Sequence, residues 1–294
     1  MKIKLIGGSG FIGSNVYNYL REDYEVQVVD IKNDKNIKEF IYCDIVSEQD
    51  RIVDILEGAD VVYMFAALSE ATKNYDNPYE AVDKNIVGLH NVLRACVINK
   101  VKRIIFSSTS WVYSECEDDY VTEDHTCLNA NNGTNIYSAT KICGEVLIRS
   151  YQKSYNLDYT ICRYGTIYGE GSNPRTAVST FLRKALKGEP ITITSNGYRN
   201  FIHVADLAET ISRIPTKLKE TKNETINIDG FTNTSLLEIV NFIKEKIPNI
   251  KVNLNIENVK EFKGKILGLR KSVELLDHKQ TIDLREWIHN QIKI

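Results

Sequence analysis

No apolar run in this chain reaches the length needed to cross a bilayer, which excludes a helical membrane protein. An excess of either charge is missing too: 37 Lys and Arg against 39 Asp and Glu leave a net charge of −2, and no electrostatic footprint for nucleic acid. Cys43, Cys96, Cys116, Cys127, Cys143 and Cys162 are dispersed without C-x-x-C spacing, several within apolar segments, and are expected to be reduced packing residues rather than ligands. The five histidines are equally scattered, so no metal site is expected. Internal repeats and low-complexity segments are absent. The amino terminus runs directly into a strand-like segment instead of a leader, and a cytoplasmic location is expected. What is present is 294 residues, 43% hydrophobic, enough to bury a full core as one large or two unequal domains of a soluble catalyst.

Lys2-Ile3-Lys4-Leu5-Ile6 reads as a short buried strand, and apolar residues at helical spacing follow through Phe11, Ile12, Val16 and Leu20. Between them lies a glycine loop. Gly7 permits a tight turn, Gly10 lets backbone N–H groups approach a pyrophosphate, and Gly13 lets the helix pack closely on the strand. The spacing is G-x-x-G-x-x-G, and its confirming context is an acidic residue closing the next strand, Tyr24 to Asp30. Asp30 is placed to hold ribose hydroxyls. A carboxylate there repels a 2′-phosphate, and Ile31 and Lys32 offer no arginine, so NAD is expected rather than NADP.

Strand and helix signals then alternate as a parallel α/β sheet requires. Val61 to Phe65 is a buried strand ending in Ala66-Ala67, residues 78–97 are helical, and Arg103 to Phe106 is a strand with Ser107-Ser108-Thr109-Ser110 at its carboxyl end, where open parallel sheets bind ligands. Tyr137-Ser138-Ala139-Thr140-Lys141 places a phenol and an ammonium one above the other on a helix. Lys141 is expected to lower the phenol from its ordinary value of about 10 and make it a usable base. The expected fold is α/β: a doubly wound parallel Rossmann sheet over residues 1–165, with chain returning to it around 199–230. Residues 166–294 mainly form a smaller α/β substrate-binding region.

The set Gly7-x-x-Gly10-x-x-Gly13, Asp30, Asp44-Ile45, Ala66-Ala67, Asn85, Ser107-Ser108-Thr109, Tyr137-x-x-x-Lys141 and Arg163-Tyr164-Gly165 resembles the extended short-chain dehydrogenase/reductase family. Its nucleotide-sugar epimerase/dehydratase branch also has an R-D-F-x-x-V-x-D segment, to which Arg199 to Asp206 is similar. The resemblance runs from residue 1 to about 240. It implies that Gly7, Gly10, Phe11, Ile12, Gly13, Asp30, Asp44, Ile45, Ala66, Ala67 and Tyr164 line the NAD cleft, with Asn85 holding the backbone beside it. Thr109, Tyr137 and Lys141 are implied as the catalytic set, and Tyr137 and Lys141 as cofactor contacts as well.

In the implied reaction Tyr137 takes a proton from a sugar hydroxyl, most often at C4, while the same carbon is oxidised; the 4-keto sugar is then re-reduced on its other face, dehydrated across C5 and C6, or, when it is the substrate, reduced and released. Several dehydratases and decarboxylases of this branch carry an acidic residue just after the Ser/Thr, whereas this chain has Ser110 and Trp111, and indole offers no base. Redox-neutral epimerisation of a UDP-sugar is therefore the expected activity. A 4-keto-sugar reductase, a 4,6-dehydratase and, lower, a non-catalytic dinucleotide-binding protein are the alternatives. For the substrate, the resemblance implies Thr109 and Trp111 beside the sugar, and Thr166 and Arg199 near the diphosphate, Arg199 through a bidentate clamp. A second family arginine has no match at Lys263-Gly264-Lys265, with Arg270 shortly after. Kinship also implies a homodimer built on the helices around residues 80–98 and 134–154.

Overall fold

Strands whose consecutive residues are all apolar are buried on both faces, the signature of a parallel sheet covered by helices. The computed structural model, which describes residues 1–69, 77–125, 135–193, 197–255 and 265–292, contains such a sheet. Its strands are β1 (Lys2–Ile6), β2 (Glu25–Asp30), β3 (Phe40–Tyr42), β4 (Val61–Met64), β5 (Arg103–Thr109), β7 (Tyr159–Tyr164) and β11 (Glu224–Ile228). They pair in parallel in the order β11-β7-β5-β4-β1-β2-β3. Strand order reverses between β1 and β4, which places the ligand crevice at their carboxyl ends.

Alternation along the strands separates two cores. Ile3, Leu5, Val28, Tyr63 and Ile105 face one side, where α1 (Phe11–Leu20), α7 (Val204–Ser212) and α9 (Arg270–Leu276) bring Val16, Leu20, Leu207, Ile211 and Leu276. Ile6, Val29, Val62, Met64 and Phe106 face the other, against Ile52 of α2 (Gln49–Ile55), Leu89, Val92 and Leu93 of α4 (Gly88–Ile98), and Ile148 of α5 (Ile136–Tyr155). Each such fully buried side chain stabilises the fold by roughly 1.5–3 kcal/mol. Before α4, a short helix α3 (Pro78–Val82) passes through a π turn at Asp83–Val87, an extra residue per turn that the sequence pattern did not announce.

A third core belongs to the smaller region. Here β8 (Thr166–Tyr168), β10 (Tyr198–His203) and β12 (Asn233–Ser235) form one sheet, and β9 (Ile191–Ile193) pairs with β13 (Val252–Leu254). They pack with α6 (Ala177–Leu186), α8 (Leu236–Lys244) and α10 (Leu284–Gln291) around Phe181, Ile191, Phe201, Ile239, Ile243 and Ile288. A last parallel pair joins β6 (Tyr120–Val121) to β14 (Ile266–Leu267). The returning chain thus contributes β11, α7 and also α9 to the large sheet's layer. Cys43, Cys96 and Cys162 are buried, whereas Cys143 is exposed on α5, so packing does not account for it. Cys127, Asn196, Lys263 and Gly264 lie outside the described residues.

Candidate active site

The loop after β1 is built around backbone contacts that leave no room for side chains. Gly7 has φ +78°, its N–H donates to the Val29 carbonyl at 2.8 Å, and its own carbonyl accepts from Gly10 N–H at 3.2 Å. A Cβ on Gly13 would stand 2.6 Å from Gly8 Cα, which is why α1 starts so close to β1. At the end of β2 the Asp30 carboxylate accepts from Ser9 Oγ at 2.6 Å and Ser9 N–H at 3.2 Å on one oxygen, and from Ile31 N–H at 2.8 Å on the other. Fixed in this way and only partly buried, it keeps lone pairs for a diol.

The loop ends, Ala66 and Ala67 after β4, and the ends of β5 and β7 enclose one cavity of about 540 Å³. Gly7, Gly10, Phe11, Ile12, Gly13, Asp30, Asp44, Ile45, Ala66, Ala67, Thr109, Trp111, Tyr137, Lys141 and Tyr164 all line it. Residues that sequence reasoning missed also line it, among them Phe65, Ser69, Lys84, Gly165, Ser172, Asn173 and Thr176. Lys84 arrives there through the π turn and ion-pairs with Glu80 at 2.5 Å. Its only sequence signal was adjacency to Asn85.

Three expected residues fall outside the cavity wall. Asn85 is 4% exposed and lies behind it: its carbonyl accepts from Leu68 N–H at 2.7 Å, and its amide donates to the Leu68 carbonyl at 3.2 Å and to Thr140 Oγ1 at 2.9 Å. It thereby ties the Ala66–Leu68 stretch to the first turns of α5. Thr166 opens β8, and Arg199 stands in β10 opposite Thr234, where burial lowers its pKa. Arg270 is an exposed partner of Glu274. Glu115 and Glu117 are exposed and do not reach the cavity.

The chemistry-bearing end is set by α5. Asn135 caps it, accepting from Ser138 N–H at 2.9 Å, and the helix then carries Tyr137 and Lys141 beneath β5. Burial pushes the Tyr137 phenol up to about 12, against a hydrogen bond with the Thr109 hydroxyl that pulls it down. Burial also pulls Lys141 down to about 8, with the Glu145 carboxylate working the other way. The expectation that Lys141 lowers the phenol is not met in this geometry. Its Nζ donates to the Ser107 carbonyl at 2.7 Å and lies 5.9 Å from the centre of the Tyr137 ring, so each group answers to its own burial.

Behind this pair a buried network fixes the end of β5. Ser108 Oγ donates to Glu145 at 2.7 Å, and Arg163 forks onto the same carboxylate at 2.9 and 2.7 Å. Burial pushes Glu145 up, but the Arg163 fork and Ser108 hold it below the ordinary carboxylate range. Removing one partner of such a pair leaves a bare buried charge and costs about 3–5 kcal/mol. Ser107 and Ser108 are thus spent on structure and on Tyr164, whose hydroxyl lies 3.3 Å from Ser107 Oγ.

The family model described as the NAD dependent epimerase/dehydratase family matches residues 3–229. The chain is 29% identical to an uncharacterized UDP-glucose epimerase, YtcB, of Bacillus subtilis, over 99% of this chain and 97% of that one. It is 32% identical to a trifunctional UDP-glucose 4,6-dehydratase/UDP-4-keto-6-deoxy-D-glucose 3,5-epimerase/UDP-4-keto-L-rhamnose-reductase of Arabidopsis thaliana, matching 70% of this chain but 34% of that longer protein. Its fold is similar to the crystal structure of the UDP-glucuronic acid 4-epimerase of Bacillus cereus in complex with UDP-glucuronic acid and NAD, with TM-score 0.87 and 26% identity over 99% of this chain and 98% of that one.

Proposed function

Because the chain belongs to the NAD dependent epimerase/dehydratase family, we propose that it interconverts the C4 epimers of a UDP-sugar, with NAD as the resident cofactor and a 4-keto sugar as the transient intermediate. One observation favours epimerisation over dehydration. Among the described residues, the carboxylates lining the cavity are Asp30 and Asp44, both at the β2–β3 end, and none stands beside Thr109 and Tyr137. In the place from which an acid would take the C5 proton, the chain presents Trp111, 41% exposed and without a basic function.

The residues fit the cofactor. Gly7, Gly10 and Gly13 free the backbone for a pyrophosphate, the anchored Asp30 carboxylate suits a ribose diol, and Asp44 and Ile45 border the same end. Bound NAD supplies a reversible two-electron acceptor and, when oxidised, a fixed positive charge. Tyr137 takes the proton of the C4 hydroxyl and returns it; Thr109, already hydrogen-bonded to the phenol, turns its O–H to donate a hydrogen bond to the same oxygen. A phenol raised to about 12 needs a cation beside it, which the oxidised cofactor would supply; Lys141, with its ammonium on the Ser107 carbonyl, anchors the end of β5 next to the pair. Arg199 and Thr166, on the neighbouring parallel strands β10 and β8, are the proposed diphosphate contacts.

Two finer readings accompany this one. Tyr79, Val82 and Val87 on the α3–α4 helix and Val146 on α5 are exposed apolar residues, which supports a homodimer through these helices; a single-chain mass in solution would overturn it. Among the described residues all five cysteines are free, which suits a reducing cytoplasm.

The test is product analysis of the purified protein with UDP-glucose, UDP-glucuronic acid and UDP-N-acetylglucosamine, together with chromatography of the dinucleotide that denaturation releases. A C4 epimer formed without net oxidation or reduction, and NAD in the released fraction, are the expected results. A 4-keto-6-deoxy product would make the protein a dehydratase. Preferential NADPH binding would make it a reductase and remove Asp30 from the ribose.

A further inference from the structure

Two segments leave the large sheet for the smaller one at the same place. β7 ends at Tyr164 and passes through Gly165 into β8; β11 ends at Ile228 and passes through Asp229 and Gly230 toward β12. The crossings run side by side, with Gly165 N–H donating to the Ile228 carbonyl at 3.0 Å. Asp229, 2% exposed, sits between them. Its carboxyl accepts the N–H of Gly230 at 2.9 Å and the N–H of Thr166. A Cβ on Gly165 would lie 1.9 Å from that carboxyl, so the acid fills the volume in which residue 165 would carry a side chain. Gly165 is itself part of the cavity wall. From behind, His278 Nε2 donates to the Asp229 carbonyl at 2.8 Å, and its Nδ1 lies 2.8 Å from Thr210 Oγ1 on α7.

We propose that Asp229 is a positioning residue: one carboxyl pins both crossings, fixes Gly165 in the cavity wall and Thr166 next to it in the chain, and so sets the substrate-binding segments against the cofactor layer. The consequence for substrate rests on the UDP-sugar reading above; the consequence for folding does not. A pin of this kind has a pH signature. Burial pushes the carboxyl up to about 8, against the Gly230 and Thr166 N–H groups that pull it down, and it is neutral at pH 7. Among the described residues no charged side chain contributes to that shift. The titratable neighbour is His278, lowered by its own burial; Asp206 on α7 and Arg213 act on His278. In the unfolded chain an aspartate ionises near about 4, so as pH rises from there to about 8 the native state holds a proton that the unfolded state has lost. Stability therefore falls across that window and levels off above it.

The experiment compares wild type, Asp229→Asn and Asp229→Ala. Between pH 6 and pH 9 the wild-type melting temperature should drop about 5 °C further than that of Asp229→Asn, which has no proton to lose. At pH 7, calorimetric titration with UDP should show about tenfold weaker binding by Asp229→Ala, substantially restored in Asp229→Asn, while all three proteins release the same amount of dinucleotide. Equal pH-dependent drops in wild type and Asp229→Asn would overturn the pin, as would unaltered UDP affinity in Asp229→Ala. Should Asp229→Ala fail to fold, the melting comparison of wild type with Asp229→Asn still decides. A wild type that binds no UDP would sink the UDP-sugar reading, and the melting comparison would still judge the pin.

Discussion

Tyr137→Phe should lower kcat for the UDP-sugar by at least about 10³-fold while the protein still releases its full complement of dinucleotide on denaturation. The substitution keeps the ring and removes one hydroxyl, whose partner is the Thr109 hydroxyl. Thr109 Oγ1 keeps the Trp111 N–H at 3.3 Å, so the cost to the fold is about 1 kcal/mol. The cost to the reaction is far larger, because among the described lining residues no carboxylate or imidazole stands near Thr109 to take over the proton. A phenol pushed up to about 12 is ionised in roughly one molecule in 10⁵ at pH 7. Proton transfer therefore depends on positive charge arriving beside it, and replacing Tyr137 removes the group on which that charge acts. Full activity in the variant would remove Tyr137 from the mechanism. A raised KM together with lost dinucleotide would make it a binding residue instead.

Much of this site is legible in the sequence because its parts are local. The strand, turn and helix from Lys2 to Leu20 follow from periodicity and three glycines, and Asp30 follows from the length of one β–α–β step. Tyr137 and Lys141 share a helical face by spacing alone. The geometry between those parts is not local. Whether Lys141 acts on the phenol depends on the Ser107 carbonyl, which is 34 residues away and captures its ammonium. Lys84 reaches the cavity because of a π turn, and apolar spacing does not distinguish that turn from ordinary helix. The smaller region was the least readable. Its strands β8, β9, β12 and β13 span three residues each, too short for alternation to register, and they are defined by partners far along the chain. Asp229 was invisible for the same reason: nothing near it in sequence says that its carboxyl fills the space left by Gly165.

Gly7→Ala should destabilise the protein by about 3 kcal/mol or more and empty it of dinucleotide. Two costs add at this position. The residue has φ +78°, a left-handed conformation that costs an alanine about 1–2 kcal/mol. Its Cβ would also lie 2.4 Å from Ala66 N and 2.6 Å from Ala66 Cα, backbone atoms that no rotamer change can move aside. Relief requires β1 and the end of β4 to separate, yet Ala66 N–H is held to the Ile6 carbonyl at 2.9 Å and Gly7 N–H to Val29 at 2.8 Å. Either the strands part or the loop moves, and both displace the N–H groups assigned to the pyrophosphate. Gly58→Ala separates the two costs. Gly58 has φ +69°, but its Cβ would meet only the flexible Lys2 Cδ at 4.0 Å, so that variant should lose about 1 kcal/mol and keep its dinucleotide. Denaturant titration and dinucleotide content of the two variants check the argument. If Gly7→Ala behaved like Gly58→Ala, contact between the loop and Ala66 would not be what shapes the cofactor end of the cavity.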